Sequence, residues 1–507
     1  MRLVKFGCGP WAALWLLFSN GDVSGWRGKR NRPRWKTSTE WQRRETVANH
    51  AVGIAPSAPT RSLEVTRCGS TESRENHRIH LGPRGRNGPL GAKLVNGRVC
   101  PEAAPLQWWQ SVHIATGWHQ VLIALRTDLP SWLWPRAAYI HVPFCAHKCG
   151  YCDFASLAGF DHLADRYLSA LEREMGMTLG QPAVVDTIFV GGGTPTRLGP
   201  DQLERLMAKI AHWFPLAKGG EWTVEANPGT LDVAKVELLV QAGVNRVSLG
   251  AQSFRPALLA ALERNHAPEE VERAVELVRG RFPRWSLDLI FGIPGSTLAD
   301  CEADVAAALA LGPSHLSCYG LVYEKGTNLW KQWQAGQVVP VDEETERAMY
   351  ETVIDRLALS GLSMYEISNY ARPGHESRHN LVYWANDAYF GVGLGAASYV
   401  EGVRSVNTRD LAAYLRRIEA GEPATGPTER LDAEARARET AMLMLRRTVL
   451  GIDRNDFEVR TGYSLDGLLG PALARFVDQG LLEDDGQRLR FSREGRFLAD
   501  RVLCELV

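Results

Sequence analysis

From about residue 137 onward, short apolar runs alternate with longer stretches that have an amphipathic, helical period. Each apolar run ends in a Gly, Pro or polar cluster, as expected for buried strands that lead into loops. This pattern predicts six strands joined by helices, with the first helix over about 161–175. The predicted strands are 139–142, 186–190, 222–225, 246–249, 287–291 and 315–319.

Successive strand–helix units indicate an α/β fold with a parallel sheet. Six units are compatible with a doubly wound sheet or with a barrel, and the periodicity does not decide between them. In both folds the C-terminal ends of the strands lie on one side, where ligands bind. We therefore expect the segments that follow the predicted strands to converge on one site.

Beyond about residue 421 the strand–helix alternation stops and a different pattern begins. It predicts two helices, a hairpin and a last helix, over 431–447, 465–479, 481–491 and 493–506. The hairpin is indicated by alternation around Asp484-Asp485-Gly486. This order resembles a winged helix, so we expect an α+β, winged-helix-like C-terminal domain.

The first 136 residues differ from the rest of the chain in composition. They hold 20 basic and 8 acidic side chains and 10 of the 16 tryptophans, without a sustained helix or strand period. Such a segment buries too little apolar surface to offset the entropy lost on ordering it. We expect residues 1–136 to be a basic extension that is either disordered or the translation of upstream DNA.

Overall composition restricts the class of protein further. The 507 residues are 45% apolar and 23% charged, which is typical of a globular protein of two or three domains. The 58 basic and 58 acidic residues cancel, and the C-terminal region has no basic surplus, so we expect no nucleic-acid partner. No apolar run reaches the roughly 18 residues of a transmembrane segment.

The nine cysteines are odd in number and unevenly distributed, which favours a reducing, cytoplasmic compartment over a secreted disulfide framework. Cys145, Cys149 and Cys152 form a C-x3-C-x2-C run directly after the first predicted strand. Three thiolates on one loop can hold three irons of a [4Fe–4S] cubane and leave the fourth iron open. A zinc site completed by His141 and His147 is the alternative.

A glycine-rich run, Gly191-Gly192-Gly193-Thr194-Pro195-Thr196, follows the second predicted strand. Residues without side chains allow backbone groups to approach a ligand closely, although glycines also mark ordinary turns. Because a C-x3-C-x2-C loop lies one strand earlier, the run favours a ligand site beside a cluster.

Together these motifs resemble the radical S-adenosylmethionine (SAM) superfamily, whose cluster binds SAM through its open iron. The resemblance narrows to the anaerobic coproporphyrinogen oxidase family, and within it to the HemW branch of heme chaperones. It covers about residues 137–507 and implies a (β/α)6 partial TIM barrel. The motifs that carry it are Tyr139-Ile-His-Val-Pro-Phe-Cys145, GGGTPT, Thr223-Val-Glu225-Ala-Asn-Pro, Gly250-Ala-Gln252-Ser-Phe254 and Asp288-Leu-Ile-Phe-Gly-Ile-Pro294.

The resemblance also implies residue roles. Cys145, Cys149 and Cys152 would ligate the [4Fe–4S] cluster. Glu225 would accept hydrogen bonds from the SAM ribose, and Arg264 would pair with the SAM carboxylate. The residues implied around SAM are Tyr139, Gly192, Gly193, Thr194, Glu225, Gln252, Arg264 and Asp288.

Two features distinguish the branches of this family. The oxidase branch has a fourth cysteine two residues after the third, where this chain has Phe154. The run His379-Asn-Leu-Val-Tyr383-Trp384 matches the HNxxYW motif of the heme chaperone branch, which implies heme contact at His379. Tyr383 and Trp384 would then offer flat apolar surface to a porphyrin. His375 is a second candidate ligand, and the alternative is that His379 caps a turn and the aromatics are core.

The sequence therefore predicts a radical SAM core over 137–370, a connecting region over 371–425 and a C-terminal domain over 426–507. The expected protein is a heme chaperone rather than an enzyme, binding heme and passing it to an unidentified acceptor protein. The alternative is an oxygen-independent coproporphyrinogen III oxidase that decarboxylates its substrate through a 5′-deoxyadenosyl radical. We expect the C-terminal domain to cover the barrel mouth or to receive the acceptor.

Overall fold

A computed structural model describes residues 130–506, so the prediction for residues 1–129 lies outside the described residues. The described part begins with a 3-10 turn, Ser131–Leu133. Leu133 is buried in an apolar cluster with Tyr399, and the Trp132 indole nitrogen donates a 3.1 Å hydrogen bond to the Arg460 carbonyl. Residues just before the predicted boundary at 137 are therefore packed against the rest of the described structure.

A nine-stranded sheet forms the centre of the fold. The six predicted strands are all present and each is longer than predicted, β3 by the most: β1 (Ala137–Val142), β2 (Val185–Gly192), β3 (Leu216–Ala226), β4 (Arg246–Gln252), β5 (Arg284–Phe291) and β6 (His315–Gly320). Three short strands were not predicted: β7 (Ser363–Glu366), β8 (Asn369–Ala371) and β9 (Phe390–Val392).

The six long strands lie side by side in chain order and are all parallel. β9 pairs in parallel with the outer edge of β1, whereas β8 and β7 extend the other edge in antiparallel orientation. The order is β9-β1-β2-β3-β4-β5-β6-β8-β7, and the two edge strands do not pair with each other. This sheet is the open (β/α)6 partial barrel that the resemblance implies.

Helices connect the strands and cover the outside of the barrel. They are α1 (Ala164–Leu179), α2 (Pro200–Trp213), α3 (Val233–Ala242), α4 (Pro256–Ala261), α5 (Pro268–Val278), α6 (Leu298–Ala310), α7 (Asn328–Gln334) and α8 (Glu343–Leu359). Every residue of β1 is buried, because a parallel strand under helices has no face in contact with water. Within residues 130–506, no helix has the length and apolar composition needed to cross a membrane.

Helix α9 (Arg378–Trp384) closes the floor of the barrel, at the N-terminal ends of the strands. The main-chain N–H of His379 donates a 3.1 Å hydrogen bond to the Glu221 carboxylate, which forms a buried ion pair with Arg246. Arg246 also donates a 2.9 Å hydrogen bond to the His375 carbonyl, in the loop before α9. One buried ion pair thus ties α9 and its loop to β3 and β4.

The connecting region supplies α9 and β9 to the barrel, so it is not separate from the core. It continues into a three-stranded antiparallel sheet with one helix: β10 (Ala397–Val400), β11 (Val403–Asn407), α10 (Leu411–Glu419) and β12 (Thr425–Arg430). β8 crosses the predicted boundary at 370, and β12 crosses the one at 425. Both boundaries cut through short strands, which are too brief to produce a visible period.

The C-terminal part has its own apolar core and a three-stranded sheet, in the helix–strand–helix–helix–strand–strand order of a winged helix. Its elements are α11 (Ala433–Leu445), β13 (Ile452–Asp453), α12 (Arg454–Thr461), α13 (Leu465–Asp478), β14 (Leu482–Asp484), β15 (Arg488–Phe491), α14 (Arg493–Phe497) and α15 (Ala499–Cys504). The first two predicted helices and the hairpin are confirmed, but the last helix is broken at Leu498, which has φ −117°. The sequence analysis missed α12, which buries only Phe457 and has no amphipathic pattern.

The C-terminal domain packs against the side of the barrel and against α9. Arg493 pairs with Asp355 of α8 at 2.7 Å, and the Phe497 ring meets the Tyr350 ring of α8 with centroids 5.5 Å apart. Among the described residues, none beyond Asn380 lines the cavity at the barrel mouth. The prediction that this domain covers the mouth is therefore wrong, because its contact face is occupied by α8 and α9.

A buried ion pair joins the C-terminal domain to the three-stranded sheet of the connecting region. Arg404 of β11 pairs with Glu439 of α11, and only 3% and 1% of the two side chains are exposed. The Asn386 side chain donates a further 3.2 Å hydrogen bond to the same carboxylate. A second carboxylate, Glu429 of β12, lies 3.8 Å from Arg404 but is 33% exposed, so Glu439 is the nearer and the buried acidic partner.

We expect Glu439→Ala to lower the free energy of unfolding by about 3 kcal/mol, because the buried Arg404 guanidinium loses its nearer counter-charge and keeps only the partly exposed Glu429. Chemical denaturation of the full chain measures this loss. Glu434→Ala, which removes an exposed partner of Arg438 on the same helix, is the control and should cost about 0.5 kcal/mol or less. Equal losses in the two variants would contradict the interpretation.

Candidate functional site

A cavity opens at the C-terminal ends of the barrel strands. Ten of the twelve residues predicted for the cluster, SAM or heme line it: Cys145, Cys149, Cys152, Gly192, Gly193, Thr194, Glu225, Gln252, Arg264 and Asp288. They belong to the segments at the ends of five successive strands, β1 to β5. The convergence predicted from the strand ends is therefore confirmed, whereas Tyr139 and His379 lie outside the lining.

The three cysteines lie on the loop between β1 and α1. Two short paired strands hold the ends of this loop together, Phe144–Cys145 and Leu157–Ala158. The Cys145 thiol is 3.7 Å from the Thr194 hydroxyl, and the Cys152 thiol is 3.6 Å from the Ser156 hydroxyl. Burial raises the pKa of Cys145 to about 11 and also raises the pKa of Cys152. Both thiols are protonated near neutral pH, so a metal centre must displace their protons on binding.

The end of β2 is a cradle of glycines with no room for side chains. A Cβ at Gly192, which has φ 105°, would lie 2.3 Å from the His141 ring. A Cβ at Gly193 would lie 2.7 Å from the carbonyl oxygen of Pro143. The Gly192 N–H donates a 3.0 Å hydrogen bond to the Glu225 carboxylate. Packing against β1 and the residue after it therefore requires glycine at both positions, and the two residues line the cavity with backbone alone, which suits a ligand that must approach closely.

Two carboxyl groups, Glu225 of β3 and Asp288 of β5, face the same cavity. Burial and, to a smaller extent, the nearby Asp288 raise the pKa of Glu225 to about 8, although the hydrogen bond from the Gly192 N–H lowers it. Burial also raises the pKa of Asp288 to about 6, although the Ser248 hydroxyl donates to it at 3.1 Å. In the ligand-free protein Glu225 is therefore protonated at neutral pH, and it can donate as well as accept hydrogen bonds.

Arg264 reaches the cavity from the segment after α4. Its Nη1 donates to the Cys149 sulfur at 3.5 Å and its Nη2 to the Gly250 carbonyl at 2.7 Å, while its buried Nε has no partner among the described residues. Gln252 ends β4 with φ 66°, at a bulge in the pairing with β5. An unsatisfied buried donor and a strained strand end are features of ligand sites rather than of packed cores.

Tyr139 and His141 lie behind the glycine cradle. The Tyr139 hydroxyl is 3.0 Å from the His141 Nδ1, and the His141 Nε2 is 3.2 Å from the Ala155 carbonyl. Both ring nitrogens of His141 are hydrogen-bonded, so a zinc site completed by His141 would have to break one of these bonds. Tyr139 stacks on Phe189, which lines the cavity, so it supports the site from behind and does not face it.

The histidine of the HNxxYW motif is not presented to a ligand. His379 is 1% exposed, and its Nδ1 and Nε2 lie 2.9 Å and 2.8 Å from the hydroxyls of Thr187 and Tyr383. Tyr383 and Trp384 are buried as well, so in this ligand-free structure neither ring presents the flat apolar surface that was predicted for a porphyrin. These aromatic rings seal the barrel floor instead. His375, the second candidate ligand, is partly exposed in the loop before α9.

The sequence analysis missed that the cavity continues down the barrel interior. Every second residue of four neighbouring strands is polar or small, and side chains at alternate positions share one face. These residues are Thr223 and Glu225 of β3, Arg246, Ser248 and Gly250 of β4, Ser286 and Asp288 of β5, and His315 and Ser317 of β6. The two-residue period was visible in the sequence and could have predicted a polar barrel interior.

Two sequence profiles match the chain. That of the radical SAM superfamily matches residues 139–308, and that of the HemN C-terminal domain matches residues 431–498. Among solved structures, coproporphyrinogen III oxidase (HemN) from Escherichia coli covers 74% of this chain with a TM-score of 0.65. The chain covers 90% of that protein, and at 22% identity the likeness concerns the fold. The fold and the cysteine loop define a protein of the radical SAM superfamily.

Relatives with higher sequence identity to this chain define its family within the radical SAM superfamily. The chain is 40% identical to heme chaperone HemW from Bacillus subtilis (strain 168), over 72% of this chain and 98% of that protein. It is 33% identical to heme chaperone HemW from Escherichia coli (strain K12), over 73% of this chain and 97% of that protein. The chain belongs to the HemW heme chaperone family.

The residues at the barrel mouth fit the cofactors of this superfamily. The donor set of three thiols on one loop suits an iron–sulfur cluster. Beside the cysteines, Gly192 and Gly193 line the cavity with backbone alone, and Arg264, whose Nε has no partner among the described residues, lines it as well. A ligand with a carboxylate and hydroxyl groups, such as SAM, would satisfy both Arg264 and Glu225.

The raised pKa of Glu225 predicts a pH-dependent stability of the ligand-free protein. The folded state keeps this proton up to about pH 8, whereas the unfolded chain releases it near 4.5, so stability falls as the pH rises between these values. Glu225→Gln carries no such proton, and its stability relative to wild type should increase from about pH 5 to about pH 8.5. Urea denaturation measures the difference, with the exposed Glu204→Gln of α2 as control. A difference independent of pH would contradict the raised pKa.

Proposed function

We propose that the protein is a heme chaperone, which binds heme and passes it to an acceptor protein, on a scaffold that carries one [4Fe–4S] cluster and SAM. The observation that carries the proposal is the similarity to HemW from Bacillus subtilis over 98% of that protein. Phe154, at the position of the fourth cysteine of the oxidase branch, supports it. The six cysteines of the described part are unpaired, which agrees with the reducing, cytoplasmic location that we propose.

The barrel mouth would hold both cofactors. The three cysteines hold the cluster, which when bound supplies an open iron for SAM. The backbone of Gly192 and Gly193, which lines the cavity, would contact the methionine end of SAM, and Thr194 lies beside them against the Cys145 thiol. Glu225 bonds the ribose hydroxyls, and Arg264 pairs with the SAM carboxylate through its unsatisfied Nε.

The cluster loop and the HNxxYW helix lie at opposite ends of the barrel. Thr187, which contacts His379, is near the start of β2, and Gly192 ends that strand. Five residues of extended strand separate them by about 17 Å. A heme held near His379 would therefore lie about one strand length from the cysteine loop, at the other end of the same cavity. This separation supports a structural or regulatory role for the cluster and SAM.

Heme contact at His379 requires α9 to open. The hydrogen bonds to Thr187 and Tyr383 must break before either ring nitrogen of His379 can bind iron. Burial lowers the pKa of His379 to about 3, so the ring is neutral, which is the form that binds metals. The apparent affinity for heme is then reduced by the small fraction of molecules in which α9 is open.

We expect the full chain, purified anaerobically, to bind heme saturably and one-to-one in an absorbance titration. His379→Ala should weaken binding because it removes the proposed axial ligand. Thr187→Val should strengthen binding, because one of the two hydrogen bonds that keep His379 buried is lost. His375→Ala is the matched control from the loop before α9 and should bind heme like wild type.

The same titration distinguishes the alternatives. Absence of saturable heme binding by the wild type would overturn the chaperone proposal. Weakened binding in His375→Ala but not in His379→Ala would keep the chaperone and move its ligand to His375. A coproporphyrinogen-dependent rise in 5′-deoxyadenosine, with release of carbon dioxide, would favour the decarboxylase instead.

Cys149→Ala should abolish cluster assembly, because the two remaining thiolates do not hold a cubane against loss of iron. Iron and sulfide content after anaerobic reconstitution measures this. Cys504→Ala removes an exposed cysteine of the C-terminal domain and should leave both contents unchanged. Wild-type iron in Cys149→Ala would be incompatible with the proposed ligand set.

A further inference from the structure

Glu263 has a backbone conformation that helix ends usually assign to glycine. α4 ends in a Schellman motif, in which the Glu263 N–H donates to the Ala260 carbonyl at 3.0 Å and the Arg264 N–H to the Leu259 carbonyl at 2.9 Å. Glu263 has φ 56°, in the left-handed region that is unfavourable for a residue with a Cβ. Glycine would end this helix at least as well, so the reason for a glutamate lies in its side chain.

The Glu263 side chain lies between the cysteine loop and α7. Its Oε1 accepts hydrogen bonds from the Asn328 side chain and, at 3.3 Å, from the Gln332 side chain, both on α7. Its Oε2 is 4.0 Å from the His147 Nε2. A Cβ at Gly150 would lie 2.8 Å from the Glu263 Cδ. The carboxylate therefore rests directly on the cysteine loop.

The backbone of Gly150 is held from both sides at the same place. Its N–H donates a 3.2 Å hydrogen bond to the Leu262 carbonyl, and its carbonyl accepts a 2.8 Å hydrogen bond from the Leu329 N–H. Leu262 and Leu329 belong to one buried apolar cluster, so both anchors are firmly packed. Glu263 and Asn328 are their chain neighbours, and the hydrogen bond between these two side chains closes a ring around the loop.

The turn at Glu263 also directs Arg264 toward the cysteines. Immediately after the left-handed residue, Arg264 enters the cavity and donates to the Cys149 sulfur at 3.5 Å. The Glu263 side chain stays at the outer surface of the loop, where 29% of it is exposed. Two consecutive side chains of opposite charge therefore contact the cysteine loop from its inner and outer sides.

We propose that Glu263 is a positioning residue for the [4Fe–4S] cluster. The Glu263 side chain clamps the cysteine loop to α7, and its negative charge makes the cluster harder to reduce. This inference rests on the proposed cluster. A clamped loop keeps the three thiolates together and slows the loss of iron. A fixed negative charge beside the loop disfavours the reduced cluster, which is more negative by one charge, and so lowers its midpoint potential.

Three variants of the full chain separate the clamp from the charge. Glu263→Gln keeps an oxygen that accepts from Asn328 and Gln332 but removes the charge. Glu263→Gly removes the side chain and relieves the left-handed backbone. Glu272→Gln removes an exposed carboxylate of α5 and controls for net charge.

Each protein is reconstituted anaerobically with ferrous iron and sulfide. The rate of iron loss to a chelator and the midpoint potential are measured, together with thermal unfolding of the cluster-free protein. Glu263→Gly should lose iron about tenfold faster, in the range expected when a contact that supports a metal ligand is removed. Its cluster-free form should unfold at the wild-type temperature or above, because the backbone is relieved. Glu263→Gln should lose iron at nearly the wild-type rate and have a more positive potential.

Iron loss at the wild-type rate in Glu263→Gly would overturn the clamp. A wild-type midpoint potential in Glu263→Gln would overturn the charge effect. Cluster-free Glu263→Gly that unfolds at a lower temperature would overturn the positioning role, since the glutamate would then serve the fold. A wild-type chain that assembles no cluster would overturn the proposed cluster itself, a result read from the wild type alone.

Discussion

Glu221 and Arg246 form an ion pair that is almost inaccessible to solvent, on neighbouring strands at the floor of the barrel. Buried charged groups need hydrogen-bond partners in place of water, and here α9 and the loop before it supply them. The Glu221 carboxylate accepts a hydrogen bond from the His379 N–H, and the Arg246 guanidinium donates one to the His375 carbonyl. The helix that carries the HNxxYW motif is thereby fixed to the barrel. The C-terminal domain packs on that helix, so within the described residues the opposite end, with the cysteine loop, stays uncovered.

The open end tolerates many polar groups because few of them are charged in the ligand-free protein. Burial raises the pKa values of Cys145, Cys152, Glu225 and Asp288, so most of these groups hold protons near neutral pH. Arg264 is the permanent charge among the residues predicted to bind SAM. Binding of a cluster must expel thiol protons, and cluster loading is therefore linked to pH. Assembly of the cluster and release of protons from the cavity are therefore thermodynamically coupled.

The features predicted from the sequence are those that depend on residues close together in the chain or on the common direction of parallel strands. Six apolar runs became β1 to β6, and the motifs at their ends met in one cavity, because parallel strands present their C-terminal ends on the same side. Features that depend on distant partners were not predictable. Nothing in the HNxxYW motif reveals that Thr187, far away in the chain, bonds the His379 ring. The strands β7 to β9 and helix α12 were too short or too polar to produce a period.

β9 pairs in parallel with β1, although the two strands lie at opposite ends of the core sequence. A fragment that ended at residue 370 would lose this partner and leave an apolar strand edge open, which invites pairing with other chains. It would also lack α9 and the seal at the floor. The barrel strands and the HNxxYW helix therefore depend on each other for burial, and they form one folding unit in this protein.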